Sequence, residues 1–194
     1  MSKIPFDLTT WNRKEHFHHY LNTVSCRYGM TVNLDITLLR ASLKKRNYKL
    51  YPAVIHLLSR CVNQQEFRMT LDQDDQLYYF DLLNPSYTIF HTDDETFSST
   101  WTQYDPSFPA FYQNYLDDMQ QYGNNHGMLA RSPREDCFDI SCLPWVTFTE
   151  FHLDLPDARR FLLPIFTFGK YFEQDGKILL PLSIQVHHAV CDGF

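Results

Sequence analysis

The second half of this chain is a succession of short aromatic and β-branched runs, and that succession limits the fold more than any other feature. Leu77-Tyr78-Tyr79-Phe80 and Tyr87-Thr88-Ile89-Phe90 read as strands, with Asn84-Pro85 as the turn signal between them. Asp139–Leu143 leads into Trp145–Phe151, which alternates as a further strand. Ile165–Tyr171 and Ile178–Val186 flank Gln174-Asp175-Gly176 and read as a hairpin. The first half is patterned differently. Trp11–Tyr20 opens after the capping residues Thr9 and Thr10 and reads as a helix. Met30–Asp35 alternates as a strand, and Asp35 then caps a helix over Ile36–Arg46. Tyr51–Asn63 reads as a buried helix with Pro52 in its first turn. Phe108–Tyr122 is the last helical pattern, before Gly123-Asn124-Asn125. Helices first and then a run of strands predict an α+β domain: a two-layer sandwich in which helices cover a large mixed or antiparallel sheet.

Length and charge remove several classes of function. At 194 residues one domain over 1–194 is expected, and 44% apolar residues can fill its core, which excludes wholesale disorder. Seventeen Lys and Arg against 23 Asp and Glu leave a charge of −6, so no basic surface dominates and nucleic acid is not the expected partner. Five cysteines show no paired spacing, and Cys137 and Cys142 lie too far apart for a zinc knuckle. Reduced thiols in the cytoplasm, with no metal bound, are the simplest expectation. The N-terminus lacks a secretory apolar region. The longest apolar stretches are broken by Pro164 and Pro181, well short of the ~20 residues that span a bilayer. No membrane partner is expected. The 16 Phe, 12 Tyr and 3 Trp serve either a core or the walls of a pocket for ring-bearing ligands.

The chemistry concentrates at the C-terminus, in His187-His188-Ala189-Val190-Cys191-Asp192-Gly193. A histidine at a strand end can present its ring into a cleft while the strand holds its backbone. The residue type titrates near ~6.5, so a neutral imidazole can accept a proton at pH 7. Read alone, a histidine pair before a turn is more often structural. The chain stops at Phe194, just after an Asp-Gly that normally begins a new element, so a C-terminal helix is expected to be missing.

The chain resembles the chloramphenicol acetyltransferase family along nearly its whole length. Trp11-Asn12-Arg13-Lys14-Glu15-His16-Phe17 resembles the family's opening block; Leu34-Asp35-Ile36-Thr37 and Tyr48-Lys49-Leu50-Tyr51-Pro52 follow in order. Phe67-Arg68-Met69, Phe90-His91, Glu95-Thr96-Phe97-Ser98, Pro144-Trp145-Val146 and Thr167-Phe168-Gly169-Lys170-Tyr171 continue it to Gln185–Phe194. The H-H-x-x-x-D-G motif alone is also similar to that of dihydrolipoamide acyltransferases; the other blocks favour the antibiotic-modifying branch.

The resemblance implies a CoA-dependent acyltransferase fold, assembled as a homotrimer with active sites between subunits. It implies acetyl-CoA as co-substrate and a hydroxyl of chloramphenicol as acceptor, a reaction that confers antibiotic resistance. His188 takes the general base's place, with Asp192 and Arg13 paired to support its loop. The acceptor pocket maps onto Tyr20, Cys26, Phe97 and Thr167, and the lysines near the CoA end onto Lys49 and Lys170. Two positions depart from the pattern. Glu150 stands where the family has the serine that donates to the oxyanion, and an ionised carboxylate is acceptor-only. A protonated Glu150 could donate if it were buried. Thr149 is its neighbour on the expected strand and would face the opposite way. His19 replaces a second aromatic beside Tyr20. These departures leave two alternatives open: another hydroxyl acceptor, or a homologue that only binds ligand.

Overall fold

The computed structural model describes residues 2–64, 66–155 and 160–193, so Phe194, the last residue of the C-terminal motif, lies outside the described residues. Its larger sheet is organised around the Asp-Gly turn. Asp175 and Gly176 take φ of 50° and 72°, the two positive values that let a two-residue loop match strand twist. The turn joins β9 (Phe172–Gln174) to β10 (Lys177–His187), with Gln174 opposite Lys177. On its other side β10 pairs antiparallel with β2 (Arg27–Asp35). Beyond β9 it pairs antiparallel with β8 (Ile165–Gly169). β8 runs parallel to β7 (Cys137–Leu143), and β7 parallel to β5 (Asn84–His91). β6 (Thr96–Trp101) closes the edge antiparallel to β5. The sheet is mixed, in the order β2-β10-β8-β7-β5-β6. A small antiparallel sheet holds β1 (Lys3–Pro5), β4 (Leu77–Phe80) and β3 (Met69–Leu71), with β4 in the middle.

Apolar spacing decides which helices cover the large sheet. α3 (Leu50–Val62) buries Val54, Ile55, Leu58 and Val62; α4 (Phe108–Tyr122) buries Phe111 and Tyr115. Both faces meet Tyr87, Phe138, Ile140, Phe166, Phe168, Leu180 and Leu182 of the sheet in one core. Each such side chain is worth roughly 1.5–3 kcal/mol when fully buried. α2 (Thr37–Lys45) follows β2, and Asp35 Oδ1 accepts from the Thr37 amide at 3.1 Å and its hydroxyl at 2.7 Å. This is the α+β, two-layer architecture expected. A second core joins α1 (Lys14–His18), the small sheet and the C-terminal turn through Phe17, Leu21, Met69, Leu77, Leu162, Ala189 and Val190.

Four local expectations are corrected. The first helix begins at Lys14, not Trp11, because Thr9 is already held by Asp7 Oδ1 through its amide and its hydroxyl. After His18 it widens into a π-helical turn over His19–Thr23. Asn84-Pro85 starts β5 rather than forming a turn: buried Asn84 donates its amide to Asp136 O and accepts from the Tyr104 amide, both at 2.8 Å. The run Ile165–Tyr171 is divided, with β8 ending at Gly169 and β9 starting at Phe172. Finally, Trp145–Phe151 forms no strand. Both edges of β10 and both edges of β8, the strands it lies against, are taken, so residues 144–155 join no ladder there. They lie over the sheet on side-chain bonds instead. Ser183 Oγ donates to Phe151 O at 2.7 Å, and Gln185 Nε2 to Leu153 O at 2.7 Å. Without a strand, the alternation that set Thr149 apart from Glu150 does not apply.

Candidate active site

His188 sits one residue beyond β10, on a turn held from every side. The carbonyl of His187 accepts the amides of Val190 and Cys191, each at 3.1 Å. The His187 ring accepts a third, Ala189 N–H to Nδ1 at 3.1 Å. Burial, with Arg27 and His188 nearby, lowers the His187 imidazole to about 4, so it stays a neutral acceptor. Ala189 and Val190 plug the turn into the second core. Arg13 reaches it from the start of α1: Nη2 donates to His188 O at 3.2 Å and Nη1 to Ala189 O at 3.5 Å. Its Nε lies 2.9 Å from Asp192 Oδ2. Cys26 closes the last side, its carbonyl accepting the His188 amide at 2.9 Å.

The ring of His188 is oriented as tightly as its backbone. Tyr20, in the π-helical turn, stacks on it at 3.9 Å between centroids and 14° between planes. Tyr28 meets it edge-on at 5.3 Å. His188 Nδ1 is 3.2 Å from Cys191 O. A carbonyl only accepts, so Nδ1 carries the proton and the Nε2 lone pair is left to take another. Five of the sequence candidates are thus gathered here: Arg13, Tyr20, Cys26, His188 and Asp192. His187 and Tyr28 also shape the cluster and were not among the candidates. Their signals were the first histidine of the pair and an aromatic at the start of β2, opposite Val186.

The other candidates lie elsewhere. An apolar cavity of about 670 Å³ opens beside the opposite half of β10, lined by Tyr51, Phe97, Cys142, Trp145, Lys170 and Leu180 among others. Phe97 is half exposed in it, and Trp145 packs edge-on against Phe90 at 4.8 Å. Lys49 is exposed just before α3, whose first residues line the same cavity. Burial pushes the Cys142 thiol up to about 12, so it stays protonated and is no nucleophile. Thr167 is buried on β8 opposite Ser183, and five residues of strand separate Ser183 from His188, about 16 Å. Glu150 is exposed in the segment over the sheet. The His188 turn and this cavity therefore lie at opposite ends of β10.

The family profile described as chloramphenicol acetyltransferase matches residues 1–194. A chloramphenicol acetyltransferase of Clostridium perfringens is 50% identical over 190 residues, covering 97% of this chain and 87% of that protein. One from Vibrio anguillarum is 51% identical over 190 residues, covering 97% and 86%. Among solved structures, a chloramphenicol acetyltransferase superposes with a TM-score of 0.84 at 20% identity, covering 99% of this chain and 93% of that one. The Azotobacter vinelandii dihydrolipoamide acetyltransferase shares the fold at a TM-score of 0.66 and 18% identity, covering 100% and 85%. Half the residues are shared along nearly the whole length, and this places the chain in the chloramphenicol acetyltransferase family of acyltransferase enzymes.

Proposed function

We propose that the protein moves the acetyl group of acetyl-CoA to a hydroxyl of chloramphenicol in the cytoplasm, with resistance to the antibiotic as the consequence. The observation that carries this reading is the pinned turn of His188, in a chain half identical to chloramphenicol acetyltransferases. Nε2 of His188 takes the hydroxyl proton as the acceptor oxygen attacks the thioester carbonyl. The tetrahedral intermediate then expels the CoA thiolate, which recovers the proton from the imidazolium. Both substrates are bound together, so positioning supplies much of the rate and no acyl-enzyme is required. Asp192 and Arg13 hold the loop. Lys49 and Lys170 suit the polyanionic cofactor, since cations pair with phosphate. Tyr20, Cys26, Phe97 and Thr167 face the acceptor.

The half-sites at opposite ends of β10 support a homotrimer in which His188 of one subunit completes the cavity of the next. Glu150 at the oxyanion position favours a second reading, the same transfer to a different hydroxyl compound. The deciding assay is acetyl-CoA-dependent thiol release by the full-length protein, with and without chloramphenicol. Release that depends on chloramphenicol is expected. Release only with another alcohol selects the second reading, and release with neither overturns both.

A further inference from the structure

The tip of the β5–β6 hairpin carries a histidine–carboxylate cluster far from the His188 turn and built without any cysteine. His91 ends β5, and Thr92–Glu95 turn the chain into β6. The segment after α4 is tied alongside β6, with Ser99 N donating to Met128 O and Ala130 N to Ser99 O, each at 2.9 Å. That tie brings His126 over His91, ring on ring at 4.1 Å. One nitrogen of each ring and one Asp93 oxygen lie within 4.8 Å of each other.

Each ring also has a partner of the kind that orients metal-bound histidines. His126 Nδ1 is 2.7 Å from Asp94 Oδ2, which leaves Nε2 facing Asp93 Oδ2 at 3.5 Å. His91 is buried, and its Nε2 lies 2.9 Å from Ser98 Oγ, which leaves Nδ1. An outer carboxylate or hydroxyl on the second ring nitrogen fixes tautomer and orientation. Ligand distances of about 2.0–2.1 Å around a tetrahedral ion put donor atoms about 3.3 Å apart, close to the separation of His126 Nε2 and Asp93. His126 is 39% exposed and can pivot onto an ion while His91 stays fixed.

We propose that His91, Asp93 and His126 bind a divalent transition-metal cation of the zinc class, with Asp94 and Ser98 as outer partners. Two imidazoles and a carboxylate suit zinc, nickel or copper better than calcium or magnesium, which prefer oxygen alone. The ion would tie the hairpin that bears Phe97 to the segment after α4. The test is calorimetric titration of untagged full-length protein with Zn²⁺, alongside melting with and without the ion. The parent should take up one equivalent and melt at higher temperature with zinc, because an ion that binds only the folded state stabilises it. His126→Gln and Asp93→Asn, both at exposed positions, should each weaken uptake at least about tenfold and lose the thermal gain. His16→Gln, on the exposed face of α1, should bind as the parent does. No saturable uptake by the parent, or equal affinity in His126→Gln, would overturn the proposal.

Discussion

At the scale of single residues, the two neighbouring histidines have opposite jobs. His188 offers Nε2, so His188→Ala should remove nearly all turnover while CoA binding survives; turnover within tenfold of the parent would show that another group is the base. His187 is the buried acceptor that shapes the turn. Its ordinary value is 6.5 and its folded value about 4. Above 6.5 both states are neutral and the residue leaves stability unchanged. As pH falls toward 4, the unfolded chain gains a proton that the folded chain refuses, so stability drops through that window. His187→Asn keeps an oxygen near the place of Nδ1 and cannot titrate. Its melting temperature should fall less steeply than the parent's between pH 6.5 and 4, and parallel curves would refute the assignment. Glu150 tests the reaction itself. Glu150→Ser restores a neutral donor for charge that exists only in the transition state, so kcat on chloramphenicol should rise about tenfold with KM little changed. Loss of activity instead would mean that the carboxylate serves a different acceptor. The His188 motif was legible in the sequence because its spacing is local. The carbonyl contacts of Arg13 were not, since they join residues 13 and 189 through tertiary packing alone.

At the scale of elements, the sequence was most readable where local chemistry acts alone. The Asp175-Gly176 turn, β4, α3 and α4 stand where their turn residues and apolar spacing put them. Two of the failures share one cause, competition for partners. Trp145–Phe151 has a strand's alternation, yet the edges it needed belong to other strands. Asn84-Pro85 has a turn's composition, yet Asp136 and Tyr104 satisfy its polar groups within β5. The segment over the sheet makes its own demand at Gly169. A Cβ there would meet Val146 O at 2.7 Å and the Phe148 ring at 2.9 Å. Gly169→Ala must push that segment off the sheet and strain the 2.7 Å bond from Lys170 N to Val146 O. Overpacking of this kind costs about 1–3 kcal/mol, so the melting temperature should fall by several degrees. An unchanged melting temperature would mean that the segment is held more loosely than its contacts imply.

At the scale of the whole molecule, the proposed base and the cavity lie at opposite ends of β10, so the proposed reaction calls for the cavity of a second chain. Edge strand β2 leaves Met30 and Leu34 exposed, apolar surface of the kind that another subunit covers. No helix among the described residues is long and apolar enough to cross a membrane. Subunit complementation separates a shared site from a self-contained one. His188→Ala lacks the base, and Phe97→Glu places a charge in the apolar cavity; each should be inactive alone. In mixed assemblies a working site forms wherever a Phe97→Glu subunit supplies His188 to the intact cavity of a His188→Ala neighbour. Random mixing in a cyclic trimer makes that happen at about one interface in four, so co-expression should recover about a quarter of the parent's activity. If each chain held a complete site, every subunit in the mixture would carry a defect and no activity would return. Sedimentation of the same sample adds the other requirement, a trimer mass, and a monomer that is fully active would overturn the shared-site arrangement.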